Sequence, residues 1–314
     1  MTAAVPFLNP EQKVAYLYER SYFPKGALTT HHEARLRTLN FHYFLGYARN
    51  YRLLSDQGSA GITAVHPDDV FRMIDRDHEM AQLLYKGLRH VEWRLRALAV
   101  EHYCARFDAC GTYLRPAQYL AERPDGQGEM VRAILNSVVR HSEPFVHDHI
   151  GKLANAKGCQ RPKRYETSRH DELVSYVEDL PLWAVIDSFT LGTLSHFITE
   201  CDRNNDPNRR VWKSVADALE IRHPVFHANI ESLTVLRNQV SHHARMWMRP
   251  TTVTPKTPKV FKNQLRGAGH KSMMIGFANL ALFHGPNDRQ AFFNEVDTMA
   301  TQDSLYQHGV TKAF

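Results

Sequence analysis

The sequence predicts an all-α protein. Apolar residues recur at three- and four-residue intervals through most of the chain, and no stretch keeps the apolar–polar alternation of a β-strand. Segments rich in glycine, proline or small polar residues separate the periodic stretches. With 314 residues, of which 43% are hydrophobic, the chain can bury a sizeable core as one large domain or two.

Two helices are predicted in the N-terminal region. Residues 10–23 give an amphipathic helix that a Pro-Lys-Gly turn ends, and residues 30–54 give a second helix. The predicted inward-facing residues are Val14, Leu17, Tyr18, Leu36, Leu39, Phe44 and Tyr51. A group of tyrosines and arginines on the second helix has two possible roles. It either packs in the core, which we favour, or binds single-stranded RNA by stacking and by charge. This group is Tyr43, Tyr47, Arg49 and Arg52.

The longest helical pattern begins at Asp68, a suitable N-cap, and continues for about 35 residues. Its predicted core positions are Val70, Ile74, Ala81, Leu84, Leu88, Val91, Leu95 and Leu98. Such length is typical of the backbone helix of a bundle, or of a helix packed against a second subunit. Glu92 and Arg96 lie four residues apart near this seam. They form either a plain ion pair, which we favour, or a pair in which Glu92 orients Arg237 or His242 from a neighbouring helix.

The middle of the chain predicts two helices with a basic loop between them. Residues 129–141 are periodic, and Leu180–Phe197 is periodic again after Asp179, a possible cap. Between them, residues 151–169 combine two glycines and a proline with basic side chains that include Lys163 and Arg164. This stretch predicts a mobile loop, which is equally well a solvated connector or a loop that grips RNA. Residues 202–210 predict a polar loop.

The segment His223–Arg249 predicts one helix that carries the most chemically suggestive cluster of the chain. Asn238 and His242 lie four residues apart and share a face, which Arg245 extends three residues later. Arg237 lies about 100° round from Asn238, and its side chain is long enough to reach the same space. His243 falls on the apolar stripe and is predicted to be a core histidine. After this helix the sequence predicts an extended stretch, 250–258, and helices at 271–284 and 287–299.

Composition narrows the classes of partner. The net charge is +6, and 27 arginines outnumber 12 lysines, which suits phosphate-rich partners such as RNA about as well as it suits a merely basic soluble protein. The four cysteines lack zinc-ligand spacing and predict reduced thiols in the cytoplasm. The chain has no apolar run long enough for a membrane span and no signal-peptide pattern, and we expect neither metal nor cofactor.

Three segments resemble one known family. RNQVSHHARMWMR, Arg237–Arg249, resembles the RN-x3-HH-x-R-x-W segment of the Abi-like abortive-infection family (the AbiD/AbiF group), a branch of the HEPN ribonucleases. Residues 180–197 are similar to that family's P-x-W-x3-E-x2-S-F-G-x-L-S signature, with Asp187 as the acid and Thr190-Leu191-Gly192 where the family runs straight into glycine. Residues 39–51 are similar to its tyrosine-rich early helix. The resemblance covers roughly residues 30–250, and the final 60 residues carry none of it.

The resemblance implies a HEPN-like helical bundle with additional N- and C-terminal helices. We therefore expect accessory helices in residues 1–60, the helical core with the RNxxxH motif in residues 66–250, and C-terminal helices in residues 256–314. It also implies a homodimer through the face that carries this motif, because in-line phosphoryl transfer works best with two groups on opposite sides of the phosphorus. The expected localisation is cytoplasmic.

The implied function is metal-independent cleavage of RNA in phage defence. RNA carries its own nucleophile, the 2′-hydroxyl, so cleavage to a 2′,3′-cyclic phosphate needs only proton transfer and stabilisation of charge. We assign proton transfer to His242, phosphate binding to Arg237 and positioning to Asn238. The expected supporting or RNA-binding residues are His243, Arg245, Glu92, Arg96, Lys163 and Arg164. The alternatives are a non-catalytic RNA-binding protein in complex with a small non-coding RNA, and a helical interaction module with no nucleic-acid role.

Overall fold

The computed structural model describes residues 7–62, 65–119, 128–201 and 210–312. Within these ranges the chain forms 14 α-helices and two isolated β-bridges but no β-strand, which confirms the all-α prediction. The helices are α1 Pro10–Glu19, α2 Thr30–Thr38, α3 Phe41–Asp56, α4 Pro67–Cys104, α5 Glu129–His141, α6 Pro144–Ala156, α7 His170–Val177, α8 Leu182–Val185, α9 Leu191–Glu200, α10 Val211–Ala218, α11 His223–Ser241, α12 Met273–Phe283, α13 Arg289–Thr301 and α14 Ser304–Thr311.

Helix α4 is the central element of the bundle, and its 38 residues contact α3 and all helices from α8 to α14. Its apolar seam is buried along most of its length, as the sequence predicts, although Ala81 and Leu98 are only half-buried. The helix begins one residue before the predicted cap. Pro67 occupies the first helical position, and the side chain of His66, not that of Asp68, accepts the first free backbone N–H.

Two predicted helices of the N-terminal region are shorter than expected. The helix predicted for residues 10–23 ends at Glu19, and the one predicted for residues 30–54 is divided into α2 and α3. The division occurs because the Asn40 side chain accepts the backbone N–H groups of His42 and Tyr43 and so begins a new helix. Leu39, which precedes this cap, is half-buried instead of core.

The helix predicted for residues 180–197 is also divided. Helix α8 ends at Val185, and α9 begins only after Thr190, whose hydroxyl accepts the backbone N–H of Thr193 at 3.1 Å. Gly192 lies on the face of α9 that packs against α11, where a Cβ would lie 3.8 Å from a methyl carbon of Thr234. A side-chain carbon at this position would make an ordinary van der Waals contact, so the packing of α9 on α11 does not by itself require glycine.

The C-terminal helices complete the core. All 11 residues of α12 are buried, and one continuous cluster of buried apolar side chains runs from Leu17 to Val310. Helices α12 and α13 match the two helices predicted after residue 270, whereas α14 was not predicted. Among the described residues, no helix is both long and apolar enough to cross a membrane. The polar loop predicted for residues 202–210 lies, apart from Arg210, outside the described residues.

Candidate functional site

Helix α11 carries Arg237 and Asn238, and His242 lies at its C-terminal end. The helix ends at Ser241 and not at residue 249 as predicted, so His242 is the C-cap residue and its backbone N–H donates to the carbonyl of Asn238 at 3.0 Å. Both Asn238 and His242 have exposed side chains. The predicted four-residue spacing therefore brings these two residues together on the last turn of α11.

The predicted core position of His243 is wrong. His243 has a φ of 52°, in the left-handed region, and its side chain is exposed. Its backbone N–H donates to the carbonyl of Val240, and that of Ala244 donates to the carbonyl of Gln239 at 2.9 Å. This is the hydrogen-bond pattern that ends a helix around one left-handed residue, usually glycine. The chain turns at His243, so residues 244–249 do not continue the helical stripe and Arg245 leaves it.

Glu92 connects Arg237 to α4. One carboxylate oxygen of Glu92 accepts Nε of Arg237 at 3.3 Å, and the other lies 3.7 Å from Nη2 of Arg96. The Glu92 side chain is only 16% exposed, whereas that of Arg237 is 33% exposed. Among the described residues, no acceptor contacts the two Nη nitrogens of Arg237. Glu92 thus fixes one edge of this guanidinium and leaves the other edge free for an anion.

Arg96 joins the two motifs of the predicted site. Its Nη2 donates to the carbonyl of Phe189 at 2.9 Å, and its Nε lies 4.0 Å from a carboxylate oxygen of Asp187. Phe189, which accepts the hydrogen bond, and Asp187, which makes only a long ionic contact, both belong to the Leu180–Phe197 signature, while Glu92 links Arg96 to Arg237. The sequence left open whether Glu92 only pairs with Arg96 or also orients Arg237. In the structure Glu92 makes both contacts.

Asp77 holds the loop that follows His243. This carboxylate, 2% exposed, accepts the backbone N–H groups of Met246 (2.7 Å) and Trp247 (3.3 Å) and the hydroxyls of Tyr47 (2.5 Å) and Tyr306 (2.7 Å). Burial raises the pKa of Asp77, and these four hydrogen bonds oppose that rise. Sequence reasoning missed Asp77, although a signal existed, because position 77 falls on the apolar seam of α4, where a carboxylate is unusual.

Helix α14 supports the same loop from outside the predicted core. In addition to the Tyr306 hydroxyl, two backbone carbonyls of α14 bind this loop. The carbonyl of Leu305 accepts Nε1–H of the buried Trp247 at 3.1 Å, and the carbonyl of Gly309 accepts the backbone N–H of Met248 at 3.0 Å. A Cβ on Gly309 would lie 2.1 Å from Nε1 of Trp247. The C-terminal helix therefore forms part of the support of the motif.

Helix α3 contacts the loop from the opposite side. Arg245 donates through Nη1 to the carbonyl of Gly46 at 2.8 Å and lies over the ring of Tyr47, and burial lowers the pKa of its guanidinium. Asn50 donates to the carbonyl of Met248 at 3.1 Å. Tyr47 is fully buried and stacks on Trp247. Packing, the favoured interpretation, is thus the role of Tyr47, and Arg245 is tied to α3.

An open cleft of about 740 Å³ lies beside the end of α11. His242 and His243 line it together with residues of α2, α3 and α4 and of the junction between α2 and α3, which are Arg35, Thr38, Leu39, Asn40, His42, Tyr43, Ile74, Asp75 and His78. Arg35 and Asp75 form an ion pair within this lining. Arg237 does not line the cleft, since Glu92 holds it farther along α4. The described residues contain no group of three or more His, Cys, Asp or Glu side chains that could hold a metal ion.

Lys163 and Arg164 lie apart from this cluster. Both side chains are exposed on the loop that follows α6, which ends at Ala156, so the first residues of the predicted loop are helical. Arg164 pairs with Glu166 at 2.8 Å, and the contacts of the loop run to α5 through Arg132 and to α7 through Lys157. The structure therefore does not bring this basic loop to Arg237 or His242.

Fold and site together define an all-α protein whose long central helix supports an Arg-Asn-x3-His motif through a carboxylate. The Abi-like protein family matches residues 34–248, and the chain belongs to this family. The match includes residues 39–51 and 180–197 and all of the segment 237–249 except Arg249. Membership indicates a role in abortive infection, a defence against phage. No curated protein and no solved structure gives a significant match. The family match ends at Met248, so helices α12–α14 lie outside it.

Proposed function

We propose that this protein is a metal-independent endoribonuclease of the HEPN type that acts in abortive infection. The observation that carries the proposal is the Glu92–Arg237 contact, which leaves one edge of a guanidinium free on the helix that ends in the exposed His242. An exposed imidazole can move protons near neutral pH, and a guanidinium can bind the non-bridging oxygens of a phosphate. Asn238, exposed one turn before His242, would hold the substrate or the imidazole.

The proposed reaction needs no external nucleophile. The 2′-hydroxyl of the ribose attacks the adjacent phosphorus, the bond to the 5′ oxygen of the next nucleotide breaks, and the proton lost by the 2′-hydroxyl is balanced by one given to the leaving oxygen. His242 carries out one of these two transfers, and Arg237 stabilises the negative charge on the phosphorane. The products are a 2′,3′-cyclic phosphate and a 5′-hydroxyl.

We further propose that two chains associate through the face that carries the motif. One RNxxxH motif supplies one histidine, and a two-fold axis would supply its second copy on the other side of the phosphorus. Sedimentation analysis should then find a dimer. On dilution through the dimer dissociation constant, total activity should fall more steeply than protein concentration, so that activity per chain decreases. A specific activity that does not change with concentration, in a protein that is a monomer, would contradict this part of the proposal.

Cleavage of labelled total RNA in EDTA tests the activity. We expect the wild-type protein to cut RNA with cyclic-phosphate ends, and His242→Ala and Arg237→Ala each to lose at least about 100-fold in rate. His141→Ala, which removes an exposed histidine at the end of α5, is the matched control and should cut normally. RNA that is bound but not cut by the wild type would favour the non-catalytic RNA-binding alternative, and absence of both would favour the interaction module.

A further inference from the structure

An exposed stripe on α4 combines two aromatic rings with an arginine. Tyr85 is 51% exposed and Trp93 is 60% exposed, whereas other aromatic residues of α4, such as Phe71 and Tyr103, are buried. Arg89 lies between the two, four residues from each, and its guanidinium stands over the Trp93 ring at 5.1 Å. We call Tyr85, Arg89 and Trp93 the aromatic stripe.

Tyr85, at one end of the aromatic stripe, lies between the two halves of the candidate site, whereas Trp93 lies one residue beyond Glu92 and about 100° round the helix from it. Tyr85 is seven residues, or two helical turns, from His78 in the cleft and two turns from Glu92, which holds Arg237. Positions seven apart fall within about 20° of each other on a helix, so these three residues share one side of α4. A strand that reaches from the cleft to Arg237 would pass directly over Tyr85.

The charges around the stripe suit a polyanion. The exposed side chains of α4 between positions 78 and 93 include the cations Lys86 and Arg89. The exposed acid of this stretch, Glu79, is already paired with Arg76 at 2.8 Å. A face with exposed rings, unopposed cations and a single neutralised carboxylate can bind phosphates and unpaired bases at the same time.

We propose that the aromatic stripe is a binding site for single-stranded RNA, in which unpaired bases stack on Tyr85 and Trp93 and Arg89 contacts the backbone between them. The inference rests on the proposed function for the identity of the ligand, and it adds the residues that position the strand. Stacking accepts any base, because every base has a π-face, so the stripe binds unpaired RNA with little sequence preference. A duplex hides these faces and binds more weakly.

Binding is measured with a protein that cannot cut its ligand. The probe is a fluorescein-labelled single-stranded RNA of mixed sequence, about a dozen nucleotides long, and its blunt duplex serves for comparison. The protein carries His242→Ala throughout. Tyr85→Ala and Trp93→Ala should each weaken binding of the single strand by on the order of 10-fold or more, and Tyr85→Phe, which keeps the ring, should bind nearly as the parent does.

Phe145→Ala is the matched control. Phe145 is an exposed ring, 61% accessible, on α6, which packs against α7 and α8. Its removal should leave the affinity unchanged. Tyr85, Trp93, Phe145 and His242 are all exposed, so their replacement should not disturb the core. Thermal denaturation checks that each variant is folded.

Three results would overturn the inference. These are unchanged affinity in both alanine variants, equal loss in Phe145→Ala, and unchanged RNA affinity accompanied by a shift from dimer to monomer, since the last would make the stripe a protein interface. The same substitutions in the active protein separate this inference from the proposed function. Cleavage that depends on His242 but not on Tyr85 or Trp93 would contradict only the proposed RNA-binding role of the aromatic stripe. RNA binding that depends on the stripe, without any cleavage, would contradict only the proposed nuclease activity.

Discussion

Asp77 is the residue on which the geometry of the motif loop most depends. A carboxylate accepts hydrogen bonds on both oxygens, and this one uses them for two backbone N–H groups and two tyrosine hydroxyls that come from three parts of the chain. Burial raises the pKa of Asp77, while the donors stabilise its charged form. The loop after His243 is therefore fixed by one side chain from α4.

Replacement of Asp77 by asparagine keeps the volume of the side chain nearly unchanged but should disrupt the four hydrogen bonds that it accepts. An amide presents one acceptor oxygen and two donor hydrogens, so it leaves some of the four donors without a partner and faces others with like groups. We expect a loss of roughly 3 kcal/mol in the free energy of unfolding, measured by urea denaturation. Tyr306→Phe, which removes one donor, should cost about 1 kcal/mol. A loss in Asp77→Asn no larger than that in Tyr306→Phe would contradict this view.

His243 carries backbone strain at the end of α11. An L-residue other than glycine pays about 1 kcal/mol in the left-handed conformation. His243→Gly should therefore raise the free energy of unfolding by about 0.5–1 kcal/mol. If the exposed imidazole contributes to RNA binding, the same change should weaken RNA binding.

Glu220 provides a matched control for His243. It ends α10 with a φ of 49° and the same pair of backbone hydrogen bonds, from Glu220 to Asp217 and from Ile221 to Ala216. Glycine there would also remove the ion pair of Glu220 with Arg289. Glu220→Gly should relieve similar strain without any effect on RNA. Destabilisation by glycine at both positions would show that neither helix end is strained.

At the level of elements, the lengths of helices were the hardest feature to predict. Periodicity alone placed α4, α5, α12 and α13 well, because apolar spacing continues to the end of each. It failed at Asn40, Thr190 and His243, where side-chain caps or a left-handed residue end a helix although apolar residues continue beyond it. Trp247, which follows His243, lies in a loop and is buried against α3 and α14.

Helix α14 was not predicted from the sequence. Its close packing leads us to expect that replacing a glycine inside it by alanine destabilises the protein. Alanine normally stabilises a helix interior over glycine by up to about 1 kcal/mol, but a Cβ on Gly309 would lie 2.1 Å from Nε1 of Trp247. Gly309→Ala should therefore destabilise the protein by about 1–3 kcal/mol. Gly151→Ala in α6, where nothing lies within 4 Å, should stabilise it. A gain in both variants by thermal denaturation would contradict the close packing of α14.

At the scale of the whole molecule, a buried histidine in the core lowers the free energy of unfolding at low pH. His284 is buried and stacks between Phe292, at 4.0 Å between ring centroids, and His90, at 4.9 Å. Burial, with a smaller contribution from His90, lowers the pKa of His284 to about 4. An unfolded histidine has a pKa near 6.5, so between these values the unfolded chain binds more protons than the folded one. The stability contributed by this group is full above about pH 6.5 and falls as the pH decreases towards 4.

We therefore expect the free energy of unfolding to fall between pH 7 and pH 5, with roughly 2 kcal/mol of the loss due to His284. His284→Gln should flatten this dependence, whereas His141→Gln, at an exposed position, should leave it unchanged. Urea denaturation at the two pH values gives the comparison. Equal slopes in wild type and His284→Gln would show that this imidazole does not limit stability.

The candidate site was predictable from the sequence where chemistry and helical spacing coincide. Asn238 and His242 could be named because their spacing places them on one helix face, and Arg237 with them because the segment resembles that of the Abi-like family. Glu92 could be named because it lies near the seam of α4. Asp77 could have been singled out as a carboxylate on the apolar seam of α4, but its contact with Tyr306 could not, since it joins residues 229 positions apart and no local pattern links them. The division into residues 1–60, 66–250 and 256–314 stays a prediction.

The hydrogen bonds between α14 and the loop after His243 have a consequence for the order of events during synthesis. Residues 304–311 leave the ribosome well after His242, and until then the loop lacks the Leu305, Tyr306 and Gly309 contacts that hold it. A chain still being translated would thus carry an unfinished site, so that the proposed nuclease would become active only after its synthesis is complete. On the proposed function, stalled nascent chains that stop before Ser304 should accordingly be inert in an RNA-cleavage assay in which the released protein is active.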